Sequence, residues 1–195
     1  KGEKVPLAED NARATDLVLS EEETEALRAS ARQHQLTLNT LVQGAWALLL
    51  GRFGAIDDVL YGATAAGRPA ELPAVESMVG LFINTLPVRV KLPAGPADRW
   101  LAGLQEQQAE MRQYDFSPLL QLQKWSDIPA GVPLFESILV FENYPVDSAV
   151  RQWGGEFAVT EAHAFELTSY ALTVIVIPRG QLSVAVGFDV RRFEP

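Results

Sequence analysis

The chain has 195 residues, 48% of them apolar and 21% charged, with a formal charge of -9 from 16 basic and 25 acidic side chains. That length supports one sizeable domain with its own core, or two small ones, and the acidic balance argues against a phosphate-backbone partner, so no nucleic acid is expected. There is no cysteine, which removes disulfides, thiolate nucleophiles and cysteine-ligated zinc. No apolar run reaches the length of a membrane span and the first residues carry no apolar stretch, so neither a membrane partner nor a signal peptide is expected, and the composition fits a cytoplasmic protein.

Residues 1–15 read as an entry segment, with Asp16 to Leu19 a short extended piece. Ser20 then opens a helix running to about His34. Ser20 and Glu23 have capping-box spacing, and Glu21 and Glu22 favour the positive end of the helix dipole. Thr37 or Asn39 caps a second helix, ended at Gly54. Leu38, Leu41, Val42, Ala45 and Leu49 share one face of it, with Trp46, Leu50 and Phe53 beside them, so this helix is expected to be buried between layers. Asp58 to Thr64 reads as a strand, Val75 to Met78 as one helical turn, and Phe82 to Val90 as a second, strongly apolar strand.

Asp98 to Tyr114 is an amphipathic helix with Leu101, Leu104, Gln108 and Met111 on one face. Ser117 to Trp125 is a short helix with Pro118 in its first turn. Glu136 to Phe141 and Phe157 to Phe165 read as strands. Tyr170 to Ile177 and Leu182 to Phe188 form a hairpin through Pro178-Arg179-Gly180. The pattern predicts an α/β fold, a mixed sheet flanked by helices. The alternative is two unrelated subdomains meeting near Pro129, where helices give way to strands.

Self-contained chemistry is hard to find. His34 ends a helix, where a cation suits the dipole, and His163 sits in a predicted strand three residues before Glu166, so the two point to opposite faces. No metal site is expected from this spacing. Gly62-Ala63-Thr64-Ala65-Ala66-Gly67-Arg68 lacks the lysine and hydroxyl of a phosphate-binding loop, and no Gly-x-Ser-x-Gly elbow occurs. Asn84 and Thr85 are polar groups in an apolar run. They either fix the strand to a neighbouring loop or line a binding channel. Phe82, Ile83 and Leu86 read as core, Gly80 as a site of close approach or unusual φ, and Pro87 as a place where the strand lacks a partner. Arg68, between a glycine and Pro69, sits on a constrained loop. Trp125 and Tyr144 read as packing residues.

The stretch Val79-Gly80-Leu81-Phe82-Ile83-Asn84-Thr85-Leu86-Pro87-Val88-Arg89 resembles a motif of the condensation domains of nonribosomal peptide synthetases. Gly67-Arg68-Pro69, Glu71-Leu72-Pro73, Pro133-Leu134-Phe135-Glu136-Ser137 and Phe141-Glu142-Asn143-Tyr144-Pro145 resemble the same family, while Tyr114-Asp115-Phe116-Ser117-Pro118 stands altered where the family usually reads His-Gln-Asp-x-Pro-Phe-Glu. The resemblance implies a chloramphenicol acetyltransferase-like half domain over residues 16–195, the C-terminal subdomain of two arranged in a V. It implies that a donor acyl or peptidyl thioester is joined to an acceptor amine, both carried on phosphopantetheine arms that enter a tunnel. No cofactor is expected to bind directly.

The implied partners are the N-terminal half of the domain, peptidyl carrier proteins and a neighbouring adenylation domain. The family's His-His-x-x-x-Asp-Gly motif belongs to the N-terminal half and has no match here, so no catalytic residue is expected in this chain and the fragment is expected to be inactive. Gly80, Phe82, Asn84 and Thr85 are the expected tunnel or motif residues. Arg68 is either a contact to the other subdomain, with the motif aspartate as its candidate partner, or a solvent-exposed or locally paired arginine. A non-catalytic condensation-like recruitment domain, or an epimerization or cyclization relative, would share this half.

Overall fold

The structure, a computed structural model, describes residues 12–68, 72–129, 131–142 and 168–193. The strand expected over Phe157 to Phe165, together with Pro69, Glu71, Tyr144, His163 and Glu166, lies outside the described residues.

Six strands form one mixed sheet: β1 (Ala12–Val18), β2 (Asp58–Ala65), β3 (Asn84–Lys91), β4 (Ser137–Phe141), β5 (Leu172–Pro178) and β6 (Leu182–Asp189), in the order β1-β6-β5-β4-β2-β3. β4 runs parallel to both β2 and β5, and the remaining pairs are antiparallel. The sheet therefore joins strands from both sides of Pro129, so the reading of two unrelated subdomains does not hold. β1 begins at Ala12, earlier than the extended piece expected at Asp16, because it pairs with β6 along its whole length.

Register explains the core. Val59 faces Val90 and Tyr61 faces Val88 across β2 and β3. Ala63 is paired with Leu139, Leu139 with Val174, and Val174 with Val186. Alternate side chains share a face, so these residues make one apolar floor. Three helices contribute to the core above it: α1 (Glu21–Gln33), α2 (Leu38–Gly54) and α3 (Ala97–Met111), through Leu27, Ala47 and Leu104.

Local chemistry starts and stops the helices. The Ser20 hydroxyl accepts from the Glu23 amide while the Glu23 carboxylate accepts from the Ser20 amide, completing the capping box. Thr37, not Asn39, caps α2. That helix runs through Gly54, and the left-handed residue that ends it is Ala55, with φ 51°.

The fully buried face of α2 is not the one expected, although Leu38, Val42, Trp46 and Leu50 do pack against the core. Its buried residues are Thr40, Gln43, Gly44, Ala47 and Gly51, whereas Ala45, Leu48, Leu49 and Phe53 are exposed and Leu41 is half-buried. Close approach is the reason. A Cβ on Gly44 would collide with Leu101 of α3, and one on Gly51 with Leu92. The small residues admit their neighbours, Leu48, Leu49 and Phe53 are turned outward, and Leu38, Val42, Trp46 and Leu50 pack against the core while only partly buried.

β3 is an edge strand, and α3 shields it. Trp100 Nε1 donates to the Lys91 carbonyl at 2.8 Å and Gln107 Nε2 to the Arg89 carbonyl at 3.0 Å. Outward-facing carbonyls that could template another strand are thereby occupied. After α3 the chain makes a 3-10 turn (Arg112–Tyr114) and a short helix α4 (Leu119–Trp125) that packs on β3. Trp125 is exposed, not a packing residue, because α4 is too short to bring its last turn back onto the sheet.

Candidate functional site: an amide-lined cavity and a clamped loop

Between α2 and α3 the helical layer leaves a cavity of about 660 Å³. Ala63, Ala65, Leu86 and Val88 of the sheet line it, with Asn39 and Gln43 from α2 and Gln108 and Met111 from α3. The polar lining combines the amides Asn39, Gln43 and Gln108 with Thr37, Thr64, the charged Arg28, Arg68 and Arg112, and Asp115. Gln43 Nε2 donates to Asn39 Oδ1 at 3.1 Å, and Gln43 Oε1 accepts from the Tyr61 hydroxyl at 3.1 Å. Tyr61 is fully buried, and burial pushes its hydroxyl far above the usual phenol range, so it stays a neutral donor. Thr40 Oγ1 lies 2.9 Å from Gln108 Oε1. Gln108 Nε2 is buried without a hydrogen-bond partner among the described residues, which leaves a spare donor at the wall.

Asp115 is the carboxylate in that wall. Burial raises its carboxyl above the ordinary range, and the Arg112 guanidinium works against the shift. His34 is remote from this chemistry: it is the C-cap of α1, donating its amide to the Ser30 carbonyl. Among the described residues no group of three or more histidine, aspartate or glutamate side chains could hold a metal ion. Likewise, no described helix is long and apolar enough to cross a membrane.

Arg68 belongs to the cavity wall, but its guanidinium is engaged within its own loop. It donates to the carbonyl of Val75 and, at 3.2 Å from both terminal nitrogens, to that of Met78. The same group sits over the Phe82 ring, 4.2 Å from its centroid. Gly67 beside it has φ 59°, and any Cβ there would collide with the Phe82 carbonyl oxygen. The Gly67-Arg68 corner and Phe82 thus lock the two ends of the loop together.

Asn84 does not line the cavity. Its Nδ2 donates to the carbonyls of Asp115 at 2.8 Å and Ser117 at 2.7 Å, tying the first residue of β3 to the turn after α3. Thr85 is on the opposite face of the sheet, paired across to Thr64. Gly80 has no positive φ, and a Cβ there would only crowd the Phe82 ring, so the unusual conformation expected of it is absent. Phe82 is half-buried under the Arg68 guanidinium and Leu86 is buried, but Ile83, expected in the core, is exposed because it precedes β3, which begins at Asn84.

Gln108 was placed on the inner face of its helix and Asn39 offered as a cap, but none of the three amides was read from the sequence as lining a cavity. Gln43 carried the available signal, a carboxamide inside an apolar helical run.

Comparison with known proteins adds to this geometry. A linear gramicidin synthase protein of Brevibacillus parabrevis is 51% identical over 181 residues, covering 92% of this chain and 2% of that protein. Surfactin synthase subunit 3 of Bacillus subtilis is 36% identical over 179 residues, 90% of this chain and 14% of the relative. The chain thus spans a small fraction of the curated relatives it matches. Among solved structures, the condensation domain from Monacolin K polyketide synthase MokA superposes with a TM-score of 0.77 at 20% identity, covering 94% of this chain and 43% of that one. That likeness shows a shared fold, the mixed α/β architecture of the chloramphenicol acetyltransferase type. The family model of the condensation domain matches residues 4–195, and the chain belongs to the condensation-domain family of nonribosomal peptide synthetases.

Proposed function

We propose that this chain is the C-terminal half of a peptide synthetase condensation domain, contributing one wall of a site where a donor acyl or peptidyl thioester meets an acceptor amine. Both substrates would arrive on phosphopantetheine arms of carrier proteins, with a neighbouring adenylation domain upstream in the chemistry. The observation that carries the reading is the cavity's chemistry: an apolar floor, a polar wall in which amides stand beside arginines and one carboxylate, and no group among the described residues suited to deprotonate an amine. Pantetheine arms carry amide groups, which Gln43, Asn39 and the spare Gln108 Nε2 are suited to meet.

Amide formation needs an ammonium to lose its proton and a tetrahedral oxyanion to be stabilised. An α-ammonium has a pKa of about 8 and a carboxyl about 4, so a carboxylate such as Asp115 is a weak partner for that proton even with its pKa raised. Two arms must also be held in register, and a wall from one half positions only part of each.

The test is to mix the purified chain with a loaded donor carrier and a loaded acceptor carrier and look for the condensed product by mass spectrometry. No product above the carrier-only background is expected, and adding the N-terminal half should restore it. Product from the chain alone would overturn the reading. A restored complex that docks but never condenses would favour a recruitment role instead.

A further inference from the structure

Hydrogen-bond direction gives the cavity wall a polarity. Tyr61 is fully buried, and the acceptors beside its hydroxyl among the described residues are both oxygens of Gln43, Oε1 at 3.1 Å and the backbone carbonyl at 3.4 Å. A hydroxyl carries one proton, and here it goes to Gln43. The Gln43 carboxamide, only 5% exposed, therefore keeps its oxygen toward Tyr61 and its nitrogen toward Asn39. Gln43 Nε2 donates to Asn39 Oδ1 at 3.1 Å. That engages the Asn39 oxygen and leaves its Nδ2, a donor, without a partner among the described residues at the cavity wall.

α3 carries a matching group. The Thr40 hydroxyl lies near two carboxamide oxygens, Gln108 Oε1 at 2.9 Å and Gln105 Oε1 at 3.1 Å. Gln105 Oε1 already accepts from the Thr37 amide at 2.7 Å, so the Thr40 proton serves Gln108. Gln108 thus has its oxygen engaged and its Nε2 left over. Two spare donors result, one on α2 and one on α3. The charges of the lining act in the same sense. Arg28, Arg68 and Arg112 outnumber Asp115, so their field favours the negative end of a dipole.

We propose that Asn39 Nδ2 and Gln108 Nε2 bind an amide carbonyl of a carrier-borne substrate, and that Tyr61 is a positioning residue that sets the polarity of Asn39 through Gln43. The inference rests on the reading that carrier-bound arms enter this cavity. Without the Tyr61 proton nothing fixes the Gln43 carboxamide. It can invert and accept from Asn39, which then offers the cavity an oxygen, and an oxygen repels a carbonyl. Amide carbonyls occur both in a pantetheine arm and in a peptidyl donor.

The experiment is a double-mutant cycle on the intact condensation domain. Dissociation constants are measured by NMR titration for S-methyl pantetheine and, separately, for N-acetylleucine methylamide, so that the responding ligand identifies the source of the carbonyl. The variants are Tyr61→Phe, Asn39→Ala, the pair, and Asn39→Asp, with circular dichroism to check folding. Each single variant should weaken binding by about three- to tenfold, the loss of one hydrogen bond. The pair should bind no more weakly than Asn39→Ala alone, because Tyr61 acts through Asn39. A purely structural role for Tyr61 would instead add its loss in both backgrounds. Asn39→Asp keeps the oxygen that Gln43 bonds but presents no N–H, and should weaken binding at least as much as alanine.

Additive losses in the cycle, or unchanged affinity in Asn39→Asp, overturn the proposal, as does a wild-type domain that binds neither ligand. Gln108→Glu keeps an oxygen for Thr40 and removes the spare donor, so unchanged affinity there overturns it whether or not Tyr61→Phe folds. A domain that condenses its substrates but binds both ligands equally well with Asn39→Asp defeats this inference alone. One whose binding follows the cycle but never condenses keeps the donor wall and defeats the catalytic reading.

Discussion

Asn84 offers a substitution pair whose outcome depends on the direction of its hydrogen bonds. Its Nδ2 donates twice, to the carbonyls of Asp115 and Ser117, and Ser117 is buried. A side chain–backbone bond contributes about 0.5–1.5 kcal/mol net, so Asn84→Ala should cost about 1–3 kcal/mol. Asn84→Asp keeps the shape but turns a donor into an anion facing two carbonyl oxygens, and at pH 7 it should cost more than alanine by about 1 kcal/mol or more. The introduced carboxyl can donate only when protonated, so its pKa in the folded state lies above the unfolded value of about 3.9. A group with a raised folded pKa gives its stability below the unfolded pKa and loses it as pH rises through the folded one.

The aspartate variant should therefore fall furthest behind alanine near pH 7 and gain on it toward pH 4. Urea denaturation followed by tryptophan fluorescence at three pH values measures the gap. An aspartate variant at least as stable as alanine at pH 7, or a gap independent of pH, would refute the assigned bonds.

Gly67→Ala should destabilise by about 1–3 kcal/mol from its positive φ alone, with faster hydrogen exchange through residues 72–82 as Phe82 is displaced; an unchanged melting temperature would contradict the clamp. Tyr61→Phe should cost about 1–3 kcal/mol in chemical denaturation because Gln43 Oε1 loses its buried donor. Asp189 is held at a pKa of about 2 by the side chain and backbone of Arg191, so its contribution is present above the unfolded value and lost as pH falls through the folded one. Acid titration of Asp189→Asn should accordingly lack the part of the loss that the wild-type protein shows between about pH 4 and about pH 2.

Elements governed by local rules were legible in the sequence. The capping box at Ser20, the hairpin through Arg179 and Gly180, and the short run from Asp58 that became β2 follow from interactions within a few residues of one another. The sheet order was not legible, because the parallel pairing of β4 with β2 and β5 joins segments far apart in the chain. The candidate site divides in the same way. Arg68 and Asn84 stood out as polar residues in constrained surroundings. Their partners, the Val75 and Met78 carbonyls and the carbonyls either side of Phe116, are backbone groups that no side-chain pattern announces.

The misread face of α2 has a cause that applies beyond this helix. Periodicity locates a buried stripe by contrast between apolar and polar sides, and contrast fails when both sides are apolar. What then decides orientation is how closely the neighbours can approach. Gly44 and Gly51 let Leu101 and Leu92 come nearly onto the helix backbone, and Ala47 between them is fully buried. Turning the leucines inward would hold α3 off by the length of a side chain and lose those contacts. The polar residues on the small-residue face meet their needs there: Thr40 bonds Thr37 and Gln108, and Gln43 bonds Asn39 and Tyr61. Thr40 and Gln43 lie on the buried side because α3 and β2 supply their hydrogen-bond partners, and the same geometry places Gln43 at the cavity wall.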